Sequence, residues 1–122
     1  MNILYSDQFT DNNDLDTYTY TIDSTISESD ALTGVSYFKV DITQQNEVDS
    51  TFNEILKKNK RIDTLINNAG VSTFEPFLVR SEEDFDQVMD VNLKGTFFCI
   101  RAFSRQSAQF RESLSIINIV SA

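Results

Sequence analysis

The sequence predicts an α/β fold in which a doubly wound parallel sheet carries flanking helices. Two observations predict it. Short apolar runs alternate along the chain with stretches whose apolar residues recur at helical spacing. Polar or small residues also follow each of these runs, as expected where the carboxyl ends of parallel strands meet at one edge of a sheet.

Length and charge predict how the chain is organised. With 122 residues it can form one small domain around one core. The formal charge is −9, and most of the excess lies in the first 38 residues, which contain seven acids and no Lys or Arg. We expect an acidic segment over residues 1–35 and the folded domain over 36–122. Because acidic chains repel phosphates and anionic lipids, nucleic-acid and membrane binding are not expected.

Three strands are predicted in the first third of the sequence. The first covers residues 2–7 and ends at Asp7. Thr17–Ile22 alternates Thr with Tyr or Ile and is a possible second strand, and Ser36–Val40 is the third. The turn-rich acidic sequence between the first two is predicted to be loop.

One amphipathic helix and one strand are predicted next. Thr43 is a candidate N-cap, with Asn46 and Glu47 in the first turn. Lysines cluster at the other end, where cations suit the helix dipole. The predicted strand is Ile62–Ile66. The predicted inward face of the helix is Val48, Phe52, Ile55 and Leu56.

Two further helices and a last strand complete the pattern. Ser81 precedes three acids and is a predicted N-cap. A separate helix is predicted over about residues 91–110, and Ser115–Val120 is the final strand. The predicted inward residues are Phe85, Val88 and Met89 on the first of these helices, and Leu93, Phe97, Ile100 and Phe103 on the second, with Phe98 and Ala102 widening the latter face.

The sequence excludes several classes of site. It contains no His and one cysteine, Cys99, so a Ser-His-Asp triad and a disulfide within the chain are impossible and a zinc site is not expected. Cys99 lies in an apolar stretch and is predicted to be a core residue. We expect a cytoplasmic protein, since no signal-peptide pattern or membrane-length apolar run is present.

The sequence Asn-Asn-Ala-Gly after the strand at 62–66 suggests a ligand edge. Ala69 and Gly70 lack bulk, so a ligand ring or ribose can approach the main chain. The Asn side chains can hold the strand end by bonding to nearby backbone. An ordinary strand-to-loop turn would also fit these four residues, and the local sequence leaves both alternatives open.

Three segments together resemble the short-chain dehydrogenase/reductase family. They are R-I-D-T-L-I-N-N-A-G, then S-E-E-D-F-D-Q-V-M-D-V-N-L-K-G-T-F-F, then I-I-N-I-V-S-A, with 24 residues from Asn68 to Asn92 and 29 from Asn92 to Ser121. The resemblance covers roughly residues 36–122. It implies a partial Rossmann-like domain that uses NAD or NADP and acts on an alcohol or carbonyl substrate.

The resemblance implies a set of cofactor contacts. Asp41 and Ile42 are similar to the acidic-aliphatic pair that contacts the adenine. The segment Asn68, Ala69 and Gly70 is similar to the one that lines the cofactor ribose.

The resemblance also implies two catalytic residues. Asn92 matches the helix asparagine that anchors a proton-relay water through its backbone, and Ser121 matches the serine that hydrogen-bonds the substrate carbonyl. A surface or capping asparagine and a plain serine remain the alternatives. Gly95 is also open to the simpler interpretation of allowing close helix packing.

Asp7 is a further candidate cofactor contact. An acid at the end of the second strand accepts hydrogen bonds from the adenosine ribose and repels a 2′-phosphate, which would favour NAD. Asp7 is equally interpretable as a loop acid. Asp23 is a rival for the role of Asp41, which is preferred because its distance from Asn68 suits the family.

Two motifs of the family are absent from the 122 residues. The three glycines, Gly34, Gly70 and Gly95, do not form the glycine-rich pyrophosphate turn, and no Tyr has a Lys four residues later. We therefore expect a fold truncated at both ends, with unpaired strands beside the missing first strand, marginal stability and self-association. The flanking DNA is expected to encode both motifs.

Three functional hypotheses follow. The first is a truncated NAD(P)-dependent oxidoreductase that is inactive alone. The second is a non-catalytic assembly module that pairs with full-length reductases through residues 91–110. The third is a decayed product with no function.

Overall fold

The computed structural model describes residues 3–6, 38–107, 109 and 113–120. Three parallel strands, β1 (Ile3–Ser6), β2 (Thr64–Asn67) and β3 (Ser115–Asn118), form a sheet in the order β1-β2-β3. With its helices this sheet confirms the predicted fold class. The expectation of unpaired edges is wrong for β2, because β1 and β3 pair with its two edges. Thr17–Ile22 lies outside the described residues.

The helices follow the order that the sequence predicts. They are α1 (Gln45–Asn59), α2 (Glu82–Met89) and α3 (Thr96–Ser107). A 3₁₀ turn covers Phe77–Val79, and a π segment covers Asp90–Gly95. Within the described ranges no helix is long and apolar enough to cross a membrane.

The first helix begins differently from the prediction. Its N-cap is Gln44 rather than Thr43, and Gln44 makes no side-chain capping bond. Thr43 instead donates its main-chain N–H and its hydroxyl to the Asp41 side chain, at 2.9 and 2.7 Å. The Asp41 carboxylate thus engages the hydroxyl that was expected to cap α1. The predicted inward face is confirmed, with Val48, Phe52 and Ile55 buried and Leu56 packed against them.

The two helices predicted from Ser81 and Val91 form one continuous helical path. Ser81 is the N-cap of α2, as predicted, and its hydroxyl accepts a bond from the Asp84 N–H. At the other end of α2, Met89 and Asp90 keep right-handed helical angles, so the backbone runs through the π segment into α3. Neither Gly nor Pro stands between residues 82 and 94 to end the first helix.

The inward face of this path was predicted incorrectly at several positions. Leu93 and Phe97 are more than half exposed, as is Phe85, and Met89 is also exposed. The contact face of the π segment and α3 combines small residues, which let the helix approach the core closely, with the larger Phe103 and Gln106. The buried residues are Val91, Gly95, Cys99, Ala102, Phe103 and Gln106, so the predictions for Cys99, Ala102 and Phe103 are confirmed.

β2 and β3 are shorter than the strands predicted over Ile62–Ile66 and Ser115–Val120. β2 begins two residues after Ile62, because the Ile62 main chain pairs with a side chain instead of a strand. The buried Gln106 carboxamide accepts from the Ile62 N–H at 2.9 Å and donates to its carbonyl at 3.0 Å. Of the predicted strand Ser36–Val40, residues 38–40 are described, and only Lys39 forms an isolated bridge.

Candidate functional site

A cavity of about 760 Å³ lies at the carboxyl ends of β2 and β3. The cavity lies at the edge where the sequence predicts a ligand site, and four of the predicted site residues line it: Asn68, Ala69, Gly70 and Asn92. Its remaining lining comes from the ends of the strands and from two positions of the helical path, namely Asn67, Val71, Ser72, Val88, Thr96, Asn118, Ile119 and Val120.

The two strand ends that form the floor of this cavity are tied together. Asn67 and Asn118 are register partners in β2 and β3. The buried Asn67 carboxamide donates to the Asn118 side-chain oxygen at 2.9 Å, and the Ile119 N–H donates to the Asn67 carbonyl at 2.8 Å. This pair was not predicted from the sequence. The signal was the recurrence of Asn directly after Ile at the ends of both strands.

Gly70 leaves the wall of the cavity open. A Cβ built on Gly70 would meet only the Asn92 side chain, with Oδ1 at 3.5 Å, which is an ordinary contact. The space in front of the main chain is therefore free, as the sequence predicts for a segment that a flat ligand approaches.

Asn92 is held to the opposite wall by its side chain. Its Oδ1 accepts from the Val71 N–H and its Nδ2 donates to the Val71 carbonyl, both at 2.8 Å. Asn92 lies in the π segment, and π turns occur frequently at functional sites. With both ends of the carboxamide engaged by Val71, the main-chain carbonyl is the group of Asn92 that remains for other partners. The Thr96 hydroxyl donates to this carbonyl at 3.0 Å.

Asp41 and Ile42 do not line the cavity. The Asp41 carboxylate accepts two hydrogen bonds from Thr43, and the main-chain N–H of Asp41 donates to the Glu47 carboxylate at 3.0 Å. Ile42 is only 3% exposed and packs against Gly95. Its side chain belongs to the core, so a ligand would meet Ile42 through the main chain. Gly95 does permit this close packing, since a Cβ there would lie 2.7 Å from the Ile42 Cδ1.

Two predicted site residues, Asp7 and Ser121, lie outside the described residues. The structure therefore gives no geometry for the acid after β1 or for the serine after β3. They remain predictions.

Metal and thiol chemistry find no support in the described part of the chain. No group of three or more Cys, Asp or Glu residues is arranged there to hold a metal ion. Cys99 is buried, and burial raises the pKa of its thiol to about 12 from 9.0. A neutral, buried thiol is a poor nucleophile, so Cys99 acts as a core residue, as predicted.

A comparison with family models matches residues 15–122 to the short chain dehydrogenase model. The chain belongs to the short-chain dehydrogenase family. Oxidoreductase chemistry with a nicotinamide nucleotide on a Rossmann-like fold is the common ground of this family, in agreement with the resemblance seen in the sequence.

Individual relatives agree with this membership. A 3-oxoacyl-[acyl-carrier-protein] reductase of Thermotoga maritima is 40% identical over 78 residues, which is 62% of this chain and 31% of that protein. A solved structure described as ElxO with NADP bound superimposes with a TM-score of 0.64 and 31% identity, and a short-chain dehydrogenase of Leptospira borgpetersenii with bound NAD⁺ does so with 0.61 and 38%. These alignments cover 67% and 65% of this chain and 33% and 31% of those chains. The chain thus spans about a third of the length of the relatives it matches.

Proposed function

We propose that this chain forms the dinucleotide-binding part of an oxidoreductase that transfers hydride between a nicotinamide and an alcohol or carbonyl substrate. One observation carries the proposal. Asn68, Gly70 and Asn92 line one cavity at the carboxyl edge of a parallel sheet, which is where open α/β sheets bind nucleotides. A bound nicotinamide would supply the hydride chemistry, and the residues of this chain would bind and orient the reactants.

The cavity fits part of a dinucleotide in size and lining. Its volume of about 760 Å³ falls in the range of small-molecule sites. The open main chain at Gly70 admits a flat ring or a ribose.

The remaining proposed cofactor contacts come from the resemblance to the family. Asp41 and Ile42 would meet an adenine through their main chains or through the free lone pairs of the Asp41 carboxylate. Asp7 would accept hydrogen bonds from the adenosine ribose and would favour NAD over NADP. The family itself supports either cofactor, since one structural relative has NADP bound and another has NAD⁺ bound.

Asn92 and Ser121 are the proposed catalytic residues. The Asn92 carboxamide is committed to Val71, so the main-chain carbonyl is the group that would hold a relay water. This carbonyl already accepts a hydrogen bond from the Thr96 hydroxyl, and its second lone pair would accept one from the water. The Ser121 hydroxyl would donate to a substrate oxygen that gains negative charge during reduction.

The 122-residue chain by itself is expected to show little or no turnover. It contains neither the Tyr-x-x-x-Lys pair, whose tyrosine would be the general acid, nor a glycine-rich turn for the pyrophosphate. Binding, rather than turnover, is therefore the property that tests the proposal in this chain.

Calorimetric titration with NADH tests the site. We expect weak binding, with a dissociation constant on the order of 1 mM, because much of a dinucleotide's contact surface is missing. Gly70→Val should weaken binding at least about tenfold by blocking the open wall, whereas Gly70→Ala should fold and bind nearly normally because a single Cβ fits there. Equal affinity of the Val variant and the unmodified chain would contradict the proposal.

We also propose that the chain self-associates through the exposed side of the helical path. Phe85, Met89, Leu93 and Phe97 recur at every fourth residue and are 38–61% exposed. The partly buried Arg101 lies beside this stripe, with its guanidinium carbon 5.2 Å from the ring centres of both Phe97 and Phe98. A continuous apolar stripe of this kind supports association of helices.

A further inference from the structure

The inference concerns Thr96, a residue to which the sequence assigns no role. Thr96 is the first residue of α3, immediately after the π segment, and it lines the cavity together with Asn92. Its N–H donates to the Leu93 carbonyl three residues back, while its hydroxyl donates to the Asn92 carbonyl four residues back, at 3.0 Å. The hydroxyl thus bonds to the carbonyl that an α-helical N–H would ordinarily take.

A threonine hydroxyl bonded four residues back is common in helices, so this bond alone would be unremarkable. What distinguishes Thr96 is the residue that its hydroxyl holds. Asn92 lies within the π segment, and its side chain forms two hydrogen bonds to the Val71 main chain. These bonds connect the helical path to the cavity wall.

The π register is needed for this contact. A shift of one residue in helical register rotates a side chain by about 100°, which would carry the Asn92 carboxamide away from Val71. π turns are rare and compete with the ordinary α register, so contacts must hold them in place. On the core side the π segment is seated by Gly95 against Ile42. On the cavity side the corresponding contacts are those of Asn92 and Thr96.

We propose that Thr96 is a positioning residue, whose hydroxyl keeps Asn92 in the π register and thereby fixes the loop Gly70–Ser72 that walls the cavity. Loss of the hydroxyl shifts this local equilibrium toward an α-helical register, in which the Val71 N–H loses its partner. The effect on Val71 concerns the fold alone. Any consequence for nucleotide affinity rests on the proposed function.

The test is amide hydrogen exchange in the complete chain, followed by NMR, for three variants. Thr96→Val removes the hydroxyl at nearly constant shape, Thr96→Ser retains it, and Thr51→Val is the matched control. Thr51 lies in α1, makes no side-chain hydrogen bond within the described residues and does not line the cavity.

We expect the Val71 N–H to exchange about three- to tenfold faster in Thr96→Val than in the unmodified chain, as the loss of one hydrogen bond would produce. Exchange at Leu65 and Ile66 in β2 should change no more than in Thr51→Val. Thr96→Ser should restore slow exchange at Val71. NADH affinity, where the unmodified chain binds NADH, should fall by a similar factor in the Val variant alone.

Three results would overturn the inference. The first is unchanged Val71 exchange in Thr96→Val. The second is a uniform acceleration across β2, which would mean a purely structural role, and the third is failure of Thr96→Ser to retain the protection. If Thr96→Val does not fold, the exchange rate of the Val71 N–H in Thr96→Ser and in the unmodified chain still tests the inference. If the unmodified chain does not bind NADH, the proposed function fails while the exchange result stands by itself.

Discussion

The Asn67 side chain donates a 2.9 Å hydrogen bond to the Asn118 side chain across the carboxyl ends of β2 and β3. Asn67 is 5% exposed, so its carboxamide has little access to water if this partner is lost. We predict that Asn67→Ala lowers the free energy of unfolding by about 1–3 kcal/mol and that Asn118→Ala, on the exposed strand, lowers it by less. Urea denaturation of the two single variants and the double variant would measure this. Strictly additive losses would show that the two side chains do not interact.

Gly95 should be intolerant of substitution. An alanine Cβ there would lie 2.7 Å from the Ile42 Cδ1 and 2.8 Å from its Cγ1, and Ile42 is confined in the core. We predict that Gly95→Ala costs about 1–3 kcal/mol of stability through overpacking. Ile42→Ala removes both clashing atoms, so the double variant should be less destabilised than the sum of the single ones. Thermal unfolding of all three would check this, and a neutral Gly95→Ala would disprove the close approach.

Gln106 should contribute more to stability than its polarity suggests. It is 2% exposed and satisfies both the N–H and the carbonyl of Ile62. Gln106→Ala leaves these two groups without a partner, which we expect to cost roughly 2–4 kcal/mol in chemical denaturation. Gln109→Ala, at an exposed position three residues later, is the matched control and should change stability by less than about 0.5 kcal/mol. Similar losses in the two variants would refute the role of Gln106.

The stability of the chain should fall at high pH because of Cys99. Burial raises the pKa of its thiol to about 12 in the folded state from 9.0. Burial thus favours the neutral thiol. The contribution of buried Cys99 to the free energy of unfolding is therefore intact below pH 9 and declines as the pH rises from 9 toward 12. In the same way, alkylation by iodoacetamide at pH 8 should be much slower in the folded chain than in urea, because the buried thiol stays neutral. Equal labelling rates in both states would contradict the burial of Cys99.

The exposed stripe on the helical path should drive self-association. Leu93 lies at its centre and is 61% exposed. We predict that sedimentation velocity shows dimers or larger species at micromolar concentrations and that Leu93→Asp shifts the chain to monomers, because a buried unpaired charge is costly at an interface. Asn53→Asp adds the same charge on α1 and should leave the distribution unchanged. A monomeric unmodified chain would contradict the proposal.

The features that the sequence predicted correctly are those encoded by regular spacing. The large apolar residues of α1 repeat at helical intervals, so Val48, Phe52 and Ile55 could be assigned to the core. The position of Asn68 and Gly70 at the carboxyl edge followed from parallel strand order, since every strand end then meets the same crevice. Asn92 was expected at this site only from the resemblance to the family.

The features that were missed depend on contacts between distant residues. Gln106 and Ile62 are separated by 44 positions, and no local pattern marks Gln106 as a partner for the backbone. The π segment is likewise seated by Val71 and Ile42 rather than by its own sequence. On the π segment and α3, Leu93 and Phe97 were expected inward for their size but are exposed, and the small Gly95 is buried there instead. Ala102 and Phe103 were assigned correctly.

The central claim is that the carboxyl edge of the sheet and the π segment form one nicotinamide nucleotide site. The most direct measurement is a titration of the ¹⁵N-labelled chain with NADH to millimolar concentration, followed by amide chemical shifts. We predict that saturable shifts concentrate at residues 68–71, Asn92 and Thr96, while Lys57 and Lys60, which line a separate groove on the chain, do not respond. Shifts concentrated at those lysines, or none at the strand ends, would contradict the account.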